Sequence, residues 1–149
     1  MKKIGLLVLV GLLFTSFAYA ADRGTAKEAQ ALVKKAITFY KANGKAKALD
    51  EFSNPKGQFI LKDLYIYSLD LNGKAIAHGT NQKLVGKDMI DIRDSAGKFF
   101  VKDIISIAKS KGSGWVDYKW TDPVTKKIEP KSTYLEKVDD VIILCGFYK

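Results

Sequence analysis

From Ala29 to Tyr40 the apolar positions Ala29, Leu32, Val33, Ala36, Ile37 and Tyr40 recur at the spacing that places them on one face of a helix. Thr25 and Glu28 stand at the separation of a capping box, whose reciprocal hydrogen bonds satisfy N–H groups left open in a first helical turn. The helix is predicted to stop at Asn43-Gly44, where glycine tolerates the left-handed backbone that closes a helix. Lys45–Phe52 reads as a short second helix ended by Ser53-Asn54-Pro55. The period then shortens. Phe59–Asp70 is rich in aromatic and β-branched residues, Asn72-Gly73 is a two-residue hairpin signal, and Lys74–His78 supplies the returning strand.

Asn81–Lys98 contains Gly86 and Gly97 and shows little sustained period, so it is predicted to be a long ordered loop crossing one face of a sheet. Phe100, Val101, Ile104, Ile105, Ile107 and Ala108 form a second amphipathic helix whose basic end, Lys109 and Lys111, suits the helix dipole. Three strands follow, Gly114–Trp120, Lys131–Val138 and Val141–Tyr148, joined by Asp122-Pro123 and Asp139-Asp140 turns. Two helices, a hairpin, a crossing loop with a helix and a three-stranded meander predict an α+β fold: a five-stranded antiparallel sheet covered by helices. A helix on one face and a loop on the other would enclose a small cavity.

Ahead of all this, Lys2 and Lys3 precede the apolar run Ile4–Phe14, and Ala18-Tyr19-Ala20 puts small residues where a signal peptidase reads. The run is about half the length a membrane-spanning helix needs. Residues 1–20 are therefore expected to be a signal peptide cleaved after Ala20, leaving 21–149 as one domain in the periplasm or outside the cell.

The formal charge of +9 falls to +7 once Lys2 and Lys3 are removed, so the field favours anions without selecting one. The lysines are spread along the chain rather than gathered in a stripe, and an exported protein seldom meets nucleic acid, so nucleic acid is not expected as a partner. The lone Cys145 sits in the apolar run Val141–Phe147 and reads as a small buried residue. Asp88, Asp91 and Asp94 lack a calcium-loop pattern and a histidine neighbour, which favours loop charge or capping over a metal site. A Cys145–His78 dyad would place its thiolate in an apolar strand. No serine elbow, phosphate loop, zinc spacing or cofactor motif is found, so no enzyme is expected.

Four segments then come in one order: Leu84-Val85-Gly86-Lys87, Arg93-Asp94-Ser95-Ala96-Gly97-Lys98, Gly112 through Trp120, and Pro130-Lys131-Ser132-Thr133-Tyr134. With the closing Gly146-Phe147-Tyr148, this pattern resembles a single Cache domain, the small extracellular PAS-like type that binds ligands for chemoreceptors and sensor kinases. The resemblance runs from about Ala29 to Tyr148. It implies a binding module for small carboxylates such as acetate, propionate, pyruvate or lactate, without catalysis. It also allows a homodimer through the first helix. Such domains usually sit between two membrane helices, whereas here no second helix or output domain follows the sheet. Sensing is therefore expected to act through a separate membrane-bound partner; an envelope adaptor that binds another protein and no metabolite is the alternative.

Strand alternation puts Val116, Tyr118 and Trp120 on the inward face and Trp115, Asp117 and Lys119 on the other. The inward aromatics serve either ordinary core packing or a pocket in which Tyr118 and Trp120 donate to a ligand carboxylate. Lys131, within the matched motif, offers cationic hydrogen bonds to a desolvated carboxylate. Tyr134 shares the motif but lies on the opposite side of an ideal strand from Lys131, so both meet one ligand only across a bulge or twist. Arg93 in the crossing loop either clamps a carboxylate or pairs with Asp91 or Asp94. Tyr67 and His78, the only histidine, sit on the first hairpin, and His78 is either a ligand donor or a structural histidine.

Overall fold

A computed structural model describes residues 22–149 of the chain; the expected signal peptide and its cleavage point lie outside the described residues. The first helix, α1, spans Ala26–Asn43. Its capping box forms as the sequence predicts: Glu28 N–H donates to the Thr25 hydroxyl, and Thr25 N–H donates to the Glu28 carboxylate at 2.8 Å. Gly44, at φ 81°, ends α1 and starts α2, Lys45–Phe52. The third helix, α3, covers Phe100–Ser110. No helix among the described residues is long and apolar enough to cross a membrane.

The sheet has six strands: β1 Ile60–Leu61, β2 Leu64–Asp70, β3 Ala75–His78, β4 Ser113–Thr121, β5 Ile128–Val138 and β6 Val141–Tyr148. All pairings are antiparallel, in the order β1-β2-β6-β5-β4, with β3 continuing along the same edge of β2 as β1. Two details differ from the sequence reading. Phe59–Asp70 is not one strand, because Lys62 takes the left-handed conformation, φ 58°, and folds the two-residue β1 back on β2. The Asn72-Gly73 turn is wider than two residues: Asp70 N–H donates to Lys74 O, and the Asp70 carboxylate accepts from Asn72 and Lys74 N–H. The expected Asp139-Asp140 turn closes tightly between paired Val138 and Val141, with Asp139 at φ 51°.

Alternation along the strands divides the core in two. Ile66, Ile143 and Cys145 face α1 and α2, packing on Leu32, Val33 and Phe52. Tyr65, Leu69, Leu135, Ile142 and Leu144 face α3 and the crossing loop, packing on Phe100, Ile104 and Met89. Within the loop, Gln82–Leu84 forms one 3₁₀ turn, and Asp94 organises the rest by accepting from Ala96 and Lys98 N–H. The second Asp94 oxygen accepts from Lys119 N–H at 2.9 Å, and Lys98 Nζ donates to Asp117 O at 2.6 Å, fastening the loop to β4 at the sheet edge.

Candidate functional site

The face of the sheet under α3 and the crossing loop encloses an inner chamber with about 30 Å³ of free space, the scale of one or two water molecules. Its floor is Tyr65, Tyr67, Leu69 and Tyr118, and its roof is Leu84, Met89, Phe100 and Val101. Tyr65, His78 and Trp120 also line an outer cleft of about 290 Å³, whose other walls, Pro123 apart, are polar: Thr80, Asn81, Thr121, Asp122 and Lys126. These three aromatic side chains therefore form the waist between an apolar interior and a polar mouth.

Directly behind the wall stands Lys131, 1% exposed. Register explains its place, since β5 sets it opposite Tyr118 on β4 and Tyr148 on β6, all on the chamber face. Its Nζ donates to Tyr65 Oη at 2.7 Å and lies 4.3 Å from the Tyr65 ring centroid, 4.9 Å from Tyr148 and 5.8 Å from Tyr67. Gly146 makes the room, because a Cβ there would sit well inside van der Waals contact of Lys131 Cε and Thr133 Oγ1. Among the described residues no carboxylate pairs with Lys131. Burial holds its pKa below the usual lysine value, as an ammonium removed from water without a counter-charge requires.

The remaining polar groups are held in fixed orientations. Tyr118 Oη lies 2.9 Å from Tyr67 Oη and 3.0 Å from Thr133 Oγ1, while its ring stacks on Phe100 at 4.2 Å. Burial raises the pKa of Tyr65, Tyr67 and Tyr118, so all three phenols stay protonated as donors. His78 Nδ1 accepts from Asn81 N–H at 3.0 Å and Thr80 N–H at 3.3 Å, which fixes the tautomer with the proton on Nε2. Burial, with the Lys131 charge second, lowers its pKa to about 4, so at neutral pH it is an uncharged N–H donor.

Of the residues singled out in the sequence, Tyr118, Trp120, Tyr67 and His78 line this chamber, and Lys131 stands behind its wall against Tyr65 and Tyr67. Tyr134 does neither. No bulge interrupts β5, so Tyr134 faces the α1 side, where its hydroxyl donates to Glu136 and its ring packs near Trp115. Arg93 also lies elsewhere, in a shallow cleft with Ser95 and Lys119, its guanidinium 4.2 Å from the Phe99 ring centroid. Its expected pairing with Asp91 or Asp94 does not form: Asp91 pairs with Lys102, and Asp94 accepts backbone N–H groups. Asp88 accepts from Ile90 N–H. Cys145 and His78 occupy opposite faces of the sheet, and burial pushes the thiol pKa up to about 12. Sequence reasoning passed over Tyr65, Tyr148 and Gly146 as site residues. Their signal is cross-strand register, since Tyr148 is the direct partner of Lys131, and register is not written in any one strand.

The sheet thus buries an unpaired cation beside a chamber lined with aromatic hydroxyls, under a helix and a fastened loop. The chain belongs to the Single Cache domain 2 family, whose model matches residues 16–149. That family comprises non-enzymatic, extracellular or periplasmic ligand-sensing domains. The fold agrees with that of a methyl-accepting chemotaxis protein from Vibrio parahaemolyticus at a TM-score of 0.72 and 21% identity, over 82% of this chain and 86% of the other. It also agrees with a Cache chemosensory domain solved for its carboxylic acid recognition, at a TM-score of 0.71 and 28% identity, over 82% of this chain and 91% of the other. In sequence, 74 residues, half of the chain, are 31% identical to the methyl-accepting chemotaxis protein McpP of Pseudomonas putida. That alignment spans 14% of the receptor, so the chain corresponds to a small part of this curated relative.

Proposed function

We propose that this chain is a sensing module outside the cytoplasmic membrane that binds a short carboxylate at Lys131 and passes its state to a separate membrane-bound partner. The observation that carries the ligand class is the buried ammonium of Lys131, which has no carboxylate partner among the described residues. An unpaired ammonium in a dry site is costly, and an anionic ligand supplies the missing charge. His78 Nε2–H and the phenols of Tyr65, Tyr67 and Tyr118 are the donors available to a second carboxylate oxygen. The roof of Leu84, Met89, Phe100 and Val101 offers an apolar wall for a short tail, and a chamber with room for one or two waters must widen to admit even a few heavy atoms. The carboxylic acid recognition of a structural neighbour supports the same class.

Titrating the protein with propionate in a calorimeter tests this reading. Saturable one-site binding is expected, lost in Lys131→Met while the variant still unfolds cooperatively. Equal affinity in Lys131→Met removes Lys131 from the site. The absence of heat or thermal shift with any short acid moves the function to an envelope adaptor.

A further inference from the structure

We infer that Arg23 is a positioning residue of the ligand site: by holding Asp63 and Asp122 it keeps two buried carboxylates off Lys131 and leaves that ammonium for an external anion. The inference rests on the reading of Lys131 as the anion-binding group.

Both acids are out of water, with side chains 1% and 0% exposed. Asp63 lies two residues before Tyr65 in the β1–β2 turn, and Asp122 lines the outer cleft with Tyr65 and Trp120. Both raise the pKa of Lys131 through their charge. The other titratable groups around the lysine, Tyr65, Tyr67, Tyr118, Tyr148, His78 and Cys145, are uncharged at neutral pH. Left uncompensated, these two charges would stabilise the ammonium from a distance and lessen its need for an external anion.

The arm ahead of α1 prevents that. Arg23 Nη1 donates to Asp63 at 3.1 Å and to Asp122, and Nη2 lies 3.6 Å from Glu129. Gly24 N–H donates to the other Asp63 oxygen at 2.6 Å, and the second Asp122 oxygen accepts from Val124 and Thr125 N–H. The arm lies flat on the sheet because residue 24 is glycine: a Cβ would overlap the Leu64 side chain. Arg23 Cζ is also 5.9 Å from the Tyr148 ring centroid, the same ring that Lys131 approaches at 4.9 Å. One guanidinium thus offsets part of the acidic charge, and one tyrosine stands beside both cations.

The test is the titration of the Lys131 Cε resonance in the ¹³C-lysine-labelled full chain, assigned by its absence in Lys131→Met. In Arg23→Gln the midpoint should rise, since two uncompensated carboxylates then favour the ammonium, and in Arg23→Gln/Asp122→Asn it should fall back toward wild type. Asp122→Asn alone should lower it, which keeps the idea testable if Arg23→Gln does not fold. A midpoint that moves in neither single variant overturns the inference. Propionate affinity is the second readout. A loss of about tenfold or more in Arg23→Gln, recovered in the double variant, supports it, because a merely structural lesion would not be rescued by deleting a second polar partner; equal affinity in Arg23→Gln overturns it. If wild type binds no propionate, the proposed ligand falls, and the Lys131 midpoints still decide the role of Arg23.

Discussion

Substituting Gly146 by alanine tests the way this sheet makes room for a buried cation. The new methyl would overlap Lys131 Cε and Thr133 Oγ1, and would lie 3.1 Å from Lys131 Cγ. Neither neighbour retreats freely. Thr133 is paired directly with Gly146 in the ladder, and its hydroxyl is the partner of Tyr118, while the lysine is fixed at its far end by Tyr65. Overpacking of one carbon costs about 1–3 kcal/mol, and one displaced buried hydrogen bond adds about 1 kcal/mol. A total of about 2–4 kcal/mol in a domain of this size lowers Tm by on the order of 10 °C. Calorimetric melting reads the stability, and propionate titration reads the site, where a displaced ammonium should weaken binding by about tenfold or more. A Gly146→Ala protein that melts within about 2 °C of wild type and binds propionate equally well would refute the packing account of Lys131.

Two further outcomes follow from burial. Lys131→Met, close in volume but uncharged, should be as stable as wild type or more so near neutral pH, because it removes an unpaired ammonium from a dry site. The folded-state pKa of Lys131 is below the unfolded 10.5, so the unfolded chain binds more protons between the two values; wild-type stability should rise with pH through that window, and Lys131→Met should lack the rise in urea melts. His78, with its folded pKa lowered to about 4 from 6.5, stays neutral in the fold while the unfolded chain gains a proton. Stability should therefore drop as pH falls between those values, by of order 3 kcal/mol, and His78→Gln should flatten that limb of the profile.

The elements whose signals are local could be read directly. Thr25 and Glu28 mark the start of α1, Gly44 its end, and the alternation of Val116, Tyr118 and Trp120 assigns the inward face of β4. The break at Lys62 had no such signal, because a lysine in the left-handed region is chosen by the pairing of β1 on β2 rather than by its own preference. At the site, strand parity gave the inward face of Tyr118 and Trp120 and already separated Tyr134 from Lys131. The burial of Lys131 was not legible, since a lysine beside a proline at a strand start usually reaches solvent. It depends on a glycine on one neighbouring strand and tyrosines on two, set opposite one another only when the sheet assembles. The roof residues Leu84 and Met89 were hidden for a similar reason: an aperiodic loop does not say which of its side chains turn inward.

The fastening of the crossing loop to β4 has a consequence for how copies of this chain behave together. β4 is a nine-residue strand at the margin of the sheet, with Trp115 exposed on it, and such a strand invites a strand from another molecule to extend the sheet. Asp94 occupies the outward N–H of Lys119, and Lys98 occupies the carbonyl of Asp117, so the middle of that margin has charged side chains where a visiting backbone would bond. The segment that roofs the chamber thereby also blocks part of the edge at which a strand from another copy would add.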